Sequence, residues 1–431
     1  MSVREGLKRG LQSAVQTVAV RGLTTLERLQ TGAAYNPLAK SYLEDPYPQY
    51  QKLRSRDPVH RSRLIGGWVL TRYADITEVL TDSRFLADDS KLPNFEKRRQ
   101  EMTRAAGIPD DPPAKSMLRL DPPDHTRLRS LVNKAFTPRA IEKLRPRVVE
   151  IVDELLDAVA EKGSMDVIED LAYPLPVIVI AEMLGVPAED RELLKRWSDE
   201  IVLTLGLVPS NDATRRSYEA GQEMLAYIGN IAEERQREPR DDLLSALVAA
   251  EEEGDRLTME EVYSTVLLIL VAGNETTTNL IGNGLLALLK NPDQLELLRD
   301  DPALAQSAIE ELLRYDSPVQ ATSRFVTEEV SLNGHTVKPF QQVALLLGAA
   351  NRDPDQFTDP DRLDITRDEG SPLSFSHGLH FCLGAPLARI EAQIAIPAML
   401  QRFPDLKLAT ERVAWGDGII LRGLKSLPVA F

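Results

Sequence analysis

Along most of the first two-thirds of the chain, apolar residues return every three or four positions, the spacing of helices with one buried face. Pro46–Arg56 is short and amphipathic, and Thr126–Gly163 is helical in spacing but interrupted at Pro138 and Pro146. The longest periodic run begins near Thr258, where Glu261 three residues on completes a capping-box pattern. It ends at Lys290, before Asn291-Pro292. About thirty residues at ~1.5 Å each give roughly 45 Å, enough to cross a whole domain.

Alternation appears only in short pieces. Gly66–Thr71 predicts a strand, as do Phe325–Val330 and Thr336–Leu347, with Asn333-Gly334 as a hairpin turn. A helix over 302–315 precedes that pair, and a last long helix runs from Pro386 to Phe403. Residues 84–117 are polar and proline-bearing, and predict a long irregular loop of the lid or binding-loop kind. Helices dominate, strands sit near both ends, and β-α alternation is absent. The expectation is a mainly α fold with a minor β region, not a doubly wound sheet. No linker-like tract or internal repeat divides it, so we expect one large domain.

Composition narrows the function. The chain has 431 residues, 43% of them hydrophobic, enough for a large core. A net charge of −15 argues against bulk nucleic-acid binding. The longest apolar run worth checking, Val266–Ala272, is far short of the ~20 residues a spanning helix needs. Residues 4–29 place Leu7, Leu11, Val15, Val18, Leu26 and Leu29 at near-helical spacing, with Arg4, Lys8, Arg9, Arg21 and Arg28 between them. A helix lying on a membrane has this pattern, and so does a loose tail or a helix packed on the protein itself. We favour the tail or packed helix, and divide the chain into a loosely ordered N-terminal extension, 1–35, and a main domain, 36–431.

The chain has a single cysteine, Cys382, so it forms no internal disulfide and no site of several thiolates. Gly378 and Gly384 flank it, and Pro386 suits the first turn of the helix that follows. The sulfur therefore sits near a helix N-terminus, which favours an anion. A thiolate there can be a nucleophile, which would want a histidine base, or a metal ligand. As the sole thiolate on iron it would leave the opposite position open for dioxygen and favour O–O cleavage.

The stretch Phe375–Gly384, F-S-H-G-L-H-F-C-L-G, resembles the heme-binding loop of the cytochrome P-450 family, usually F-G-x-G-x-H-x-C-x-G. Ser376 departs from the pattern, standing where glycine is usual. Further motifs follow in the family's order across roughly 125–391. The resemblance implies the cytochrome P-450 fold, heme b as cofactor, a long central helix crossing the heme, and Cys382 as axial ligand of the iron. It implies that Phe375 packs near the sulfur, with Gly384 beside it. In Ala272-Gly273-Asn274-Glu275-Thr276 it implies an oxygen-activation motif. There Ala272 and Gly273 give room beside the cofactor, and Glu275 and Thr276 hold water and relay protons. A threonine bonded back to its own helix is the plainer reading of Thr276.

Glu311 and Arg314 match the family's structural E-x-x-R pair, and Arg362 fits the third place. His125, Arg129, Arg324 and His380 would donate to the heme propionates. The substrate pocket would draw on 84–117, 195–215 and the loop near Trp415–Ile420. It would also take in Leu268, Val271, Val319 and Ala321.

The function implied is a monooxygenase that inserts one oxygen atom from dioxygen into a hydrophobic small molecule, by hydroxylation or epoxidation. The alternatives are a peroxide-driven or non-oxygenating heme-thiolate enzyme, or a heme sensor or carrier. The expected partners are a ferredoxin and an NAD(P)H-dependent ferredoxin reductase. Docking would use Arg127, Lys134, Arg139 and Arg389, for a monomeric, cytoplasmic, bacterial-type protein.

Overall fold

The computed structural model describes residues 20–110, 116–204, 210–252 and 254–431. The expected loops 84–117 and 195–215 lie partly, and the amphipathic 4–19 wholly, outside these residues.

Met259–Lys290 forms one helix of 32 residues, and both halves of the capping box are made. Glu261 N donates to Thr258 Oγ1 at 3.2 Å, and Thr258 N donates to Glu261 Oε2 at 2.8 Å. The helix stops at Asn291 because Pro292 can start the next helix but cannot continue this one. Its C-terminal half, from Thr277 to Leu288, is buried all round, with helices Pro174–Met183, Arg191–Val202, Asn211–Arg237, Ala305–Tyr315 and Ala385–Arg402 packed along the whole helix. At Gly284 a Cβ would come 3.0 Å from Leu312 Cδ1, so glycine sets the close approach to Ala305–Tyr315.

The prolines behave as the pattern predicts. Pro138 and Pro146 open helices Pro138–Glu142 and Arg145–Ala160 from their first turns. The segment 84–117 differs from expectation, because it contains a helix, Phe95–Ala106. Of its twelve residues only Thr103 and Ala106 are buried, so the sequence carries almost no apolar stripe to reveal it.

The minor β region is a five-stranded sheet built from both ends of the chain. Its strands are β1 (Val59–Ser62), β2 (Gly67–Leu70), β3 (Phe85–Leu86), β4 (Thr322–Val326) and β5 (Gln342–Leu345), in the order β1-β2-β5-β4-β3. Only β2 and β5 run parallel. The Asn333-Gly334 hairpin forms between Val330–Leu332 and His335–Val337, with φ of 48° and 78° at its two turn residues.

Residues 20–31 form a helix held against the sheet, the packed-helix form of the two arrangements favoured for this segment. Its Glu27 is buried, accepts from Arg63 N at 2.5 Å, and lies 3.2 Å from His60 Nε2. The other ring nitrogen of His60 is 2.8 Å from Asp57.

Candidate active site

Three parts of the fold converge around Cys382. Helix Ala385–Arg402 starts just after it, and the sulfur faces the backbone N–H groups of Gly384 and Ala385. The Cys382 N–H donates to the Phe375 carbonyl at 2.9 Å, which ties the loop back on itself. A water-sized sphere reaches Cys382, yet the surrounding protein is dense enough that burial pushes the thiol pKa up. The residue thus lines a recess and does not project from the outer surface. Gly384 N–H, Arg129, Ala385 N–H and Arg389 all act in the opposite direction and favour the thiolate.

Ser376 carries a cost. Its φ of 64° and ψ of −166° lie in a region almost reserved for glycine. Such a residue costs about 1–3 kcal/mol, which explains why glycine is the usual occupant. Phe375 is half-buried against the main core, with the Arg389 guanidinium 4.6 Å above its ring. His377 is exposed.

Beside this loop the structure gathers His125 and Arg129 from helix Asp124–Ala135, Arg324 from β4, and His380. The His125 and His380 rings are 4.4 Å apart. His125 Nδ1 and His380 Nε2 are buried without any partner. Arg129 makes no hydrogen bond or ion pair among the described residues. Arg324, buried, uses only Nη1, on the Ser323 carbonyl at 2.8 Å and more weakly on Thr322. Burial lowers the pKa of all four groups, and the two arginines lower the histidines further. His380 falls to about 4, chiefly from burial, then from Arg324 and His125. The one carboxylate that offsets this, Asp121, already accepts from Ala87 N, Asp88 N and Lys91 Nζ. A set of buried and half-buried donors with no carboxylate bound to them fits a bound dianion, and the carboxylates of a heme supply one.

The central helix, which packs against helix Ala385–Arg402, presents Leu268, Ala272 and Thr276 at steps of four, on one side. Ala272 is exposed in mid-helix, so this side borders open space. Thr276 Oγ1 donates to the Ala272 carbonyl at 2.7 Å. The plainer reading of Thr276 is thus correct as far as its proton goes, and both oxygen lone pairs stay free to accept. Gly273 needs correction. A Cβ there would meet Ile180 Cδ1 at 2.6 Å, so its missing side chain makes room for the neighbouring helix and not for a cofactor. Glu275 Oε2 is buried and unpartnered, and its pKa rises to about 7, from burial and then from Asp199. Val271 and Val319 are half-buried, whereas Ala321 is buried in the tyrosine-rich cluster with Tyr35, Tyr42, Tyr47 and Tyr50.

The structural pair forms, with a different third member. Arg314 donates to Glu311 at 2.6 and 2.8 Å, and to the carbonyls of Asn351, Pro360 and Arg362. Arg362 contributes that carbonyl only, and its side chain is exposed. The third charge is Arg367, whose Nε lies 3.2 Å from Glu311 Oε2. The chain turns between the two arginines, and the later one comes back to Glu311.

Sequence reading also missed Glu391, a fully buried acid whose pKa burial pushes up to about 8, against a hydrogen bond from Thr277. A lone glutamate inside the apolar run of the last helix was the available signal. Of the expected docking cations, Arg127 is taken by Asp255 and Glu261, and Arg389 by Glu310.

A long helix crossing opposite a single cysteine at a helix N-terminus, beside a carboxylate-hungry cluster, defines a heme-thiolate enzyme. Residues 69–412 match the sequence profile described as Cytochrome P450, and the chain belongs to that family. It is 45% identical to Cytochrome P450 107B1 of Saccharopolyspora erythraea, over 90% of this chain and 96% of that one. It is 44% identical to the Vitamin D(3) 25-hydroxylase of Pseudonocardia autotrophica, over 90% and 94%. The solved structure of P450BioI in complex with acyl carrier protein ligated to hexadec-9Z-enoic acid superposes with a TM-score of 0.83, at 42% identity over 91% and 99%. The chain is accordingly a P450 monooxygenase, an oxidoreductase with a heme cofactor. No helix among the described residues is long and apolar enough to cross a membrane.

Proposed function

We propose that this enzyme binds heme b through Cys382 and hydroxylates or epoxidises an elongated hydrophobic molecule, in the cytoplasm, with electrons from a separate ferredoxin and its NAD(P)H-dependent reductase. The observation that carries the reading is the set His125, Arg129, Arg324 and His380 beside the only thiol, with both histidines holding an unsatisfied ring nitrogen and Arg324 bonded only within its own strand. A porphyrin with two free carboxylates answers that set. Covalent attachment through further cysteines is excluded, because there are none.

Bound in this way, heme supplies dioxygen activation, with electron push from the sulfur favouring O–O cleavage. The chain's own residues manage protons and water. Thr276, its proton donated to the Ala272 carbonyl, accepts a hydrogen bond from a water in the open space. Glu275 titrates near neutrality, so it both takes up and gives up a proton at working pH. Leu268, Ala272, Val271 and Val319 offer apolar surface to the substrate. Names of relatives support the class: one acts on vitamin D(3), another was solved with a hexadec-9Z-enoyl chain on its carrier. Electron-donor docking rests on a thinner basic face than the sequence suggested, since Arg127 and Arg389 are already paired.

Dithionite reduction under carbon monoxide tests the ligand. A strongly red-shifted Soret band supports Cys382 on iron, and its absence in fully heme-loaded protein refutes it. Thr276→Ala tests the water site. The variant keeps heme but loses most product per NADH and releases peroxide, and unchanged coupling would remove Thr276 from the mechanism.

A further inference from the structure

Glu275 has a second acid beside it. Helix Arg191–Val202 packs across the central helix and brings Asp199 close enough to raise the Glu275 pKa. Asp199 is itself solvent-exposed at one side, yet burial at the other raises its own pKa. It is held in place by Tyr173, whose Oη donates to Asp199 Oδ1 at 2.8 Å. Tyr173 is fixed in turn by Lys195, with Nζ 4.7 Å above its ring, and by the amide of Asn274. Asn274 Oδ1 has no partner. It borders a cavity of about 10 Å³ between the three helices, lined also by Ile180, Leu194 and Ser198. That volume holds about one water. Other charges acting on Asp199 are those of Glu192 and Glu200, which raise its pKa, and of Lys195, which lowers it.

We propose that Asp199 is the solvent-side step of the proton path, keeping Glu275 protonated and resupplying it, with Tyr173 fixing its orientation. This rests on the monooxygenase reading above. The balance is simple. A proton passes from solvent to the Asp199 carboxylate, from Asp199 through one bridging water to the Glu275 carboxylate, and from Glu275 to the water held by Thr276. No electron moves with it. Asp199 and Tyr173 act through Glu275 and are positioning residues. Two acids on facing helices suit this role, because each negative charge raises the other's proton affinity. Tyr173 does not give up its own proton, because burial and Asp199 raise its pKa.

Infrared titration of the heme-loaded protein tests the idea, with the protonated-carboxyl band of Glu275 assigned by Glu275→Gln. In the native chain the midpoint lies near pH 7. Asp199→Asn lowers it by about one unit, and Asp199→Glu restores it. The alkaline limb of product per NADH moves down in pH by the same amount. Tyr173→Phe slows product formation with a larger solvent isotope effect. An unmoved carboxyl midpoint in Asp199→Asn overturns the proposal, and so does a moved midpoint with an unmoved coupling profile. Native protein that forms no product from dioxygen and NADH overturns the monooxygenase reading instead, whatever the variants do. Because Asp199 is exposed, the asparagine variant folds.

Discussion

Arg314 and Arg324 stand ten positions apart in sequence, and both are buried, at 1% and 7% exposure. Their surroundings are opposite. Arg314 spends all five of its N–H groups, on Glu311 and three carbonyls, and lies against the Phe357 ring. Arg324 spends one nitrogen, on its own neighbours in β4. The first arginine is finished by the protein; the second waits for an anion. Burying a charge without a partner is costly, so a fold keeps such a group where a ligand offsets that cost. Scaffold and binding site can therefore be told apart by counting hydrogen bonds, although both are buried arginines on adjacent elements.

Removing Glu311 gives the largest effect. Glu311→Ala leaves Arg314 charged, buried and without its carboxylate, and should cost about 3–5 kcal/mol. Urea denaturation of the heme-free protein reads it, together with a sharp fall in heme per chain. Normal stability would mean that the pair does not hold the scaffold. Arg324→Met should do the reverse. It leaves the heme-free protein as stable or more so, while heme leaves about tenfold to a hundredfold faster. Heme transfer to an acceptor globin measures the rate. A variant with destabilised apoprotein and unchanged heme release would erase the contrast.

The third member of the scaffold gives a smaller and sharper test. Arg367→Ala should cost about 1–3 kcal/mol, because it removes a charged donor from Glu311. Arg362→Ala should stay within about 0.5 kcal/mol, since only its carbonyl is used. Equal effects would return Arg362 to the network. A pH dependence adds a further test. The folded pKa of His380, about 4, lies below its ordinary value of 6.5. A depressed pKa contributes stability that is fully present above pH 6.5 and is lost as pH falls toward 4. Heme carboxylates would raise that pKa and shrink the loss. Thermal melts of heme-free and heme-loaded protein across this window should therefore diverge as pH falls, and parallel curves would argue against His380 facing a carboxylate.

The same contrast explains what the sequence made legible. The capping box at Thr258 and Glu261 and the turn at Asn333-Gly334 are local chemistry, and local chemistry survives folding unchanged. Helix Phe95–Ala106 was hidden because it rests on two buried residues. Arg362 and Arg367 look alike in sequence, and only the turn between them decides which returns to Glu311. Gly273 matched its motif position, but its neighbour, Ile180, comes from another helix and could not be foreseen. Asp199 and Tyr173 carry no motif at all. They come near Glu275 only because helices Pro174–Met183 and Arg191–Val202 both pack on the central helix. The cations expected around Cys382 are brought together by the fold, while the unsatisfied nitrogens of His125 and His380 could be read only from the structure.

Heme-free protein titrated with heme and, separately, with heme dimethyl ester gives the most direct test of this contrast. The two ligands share iron and ring, and differ only in the charge of the carboxylates. If His125, Arg129, Arg324 and His380 form a carboxylate receptor, the ester should bind at least about tenfold more weakly. The difference should vanish when Arg129 and Arg324 are both replaced by Met. Equal binding of the two ligands by the native chain would contradict it, and leave the four gathered donors without a purpose.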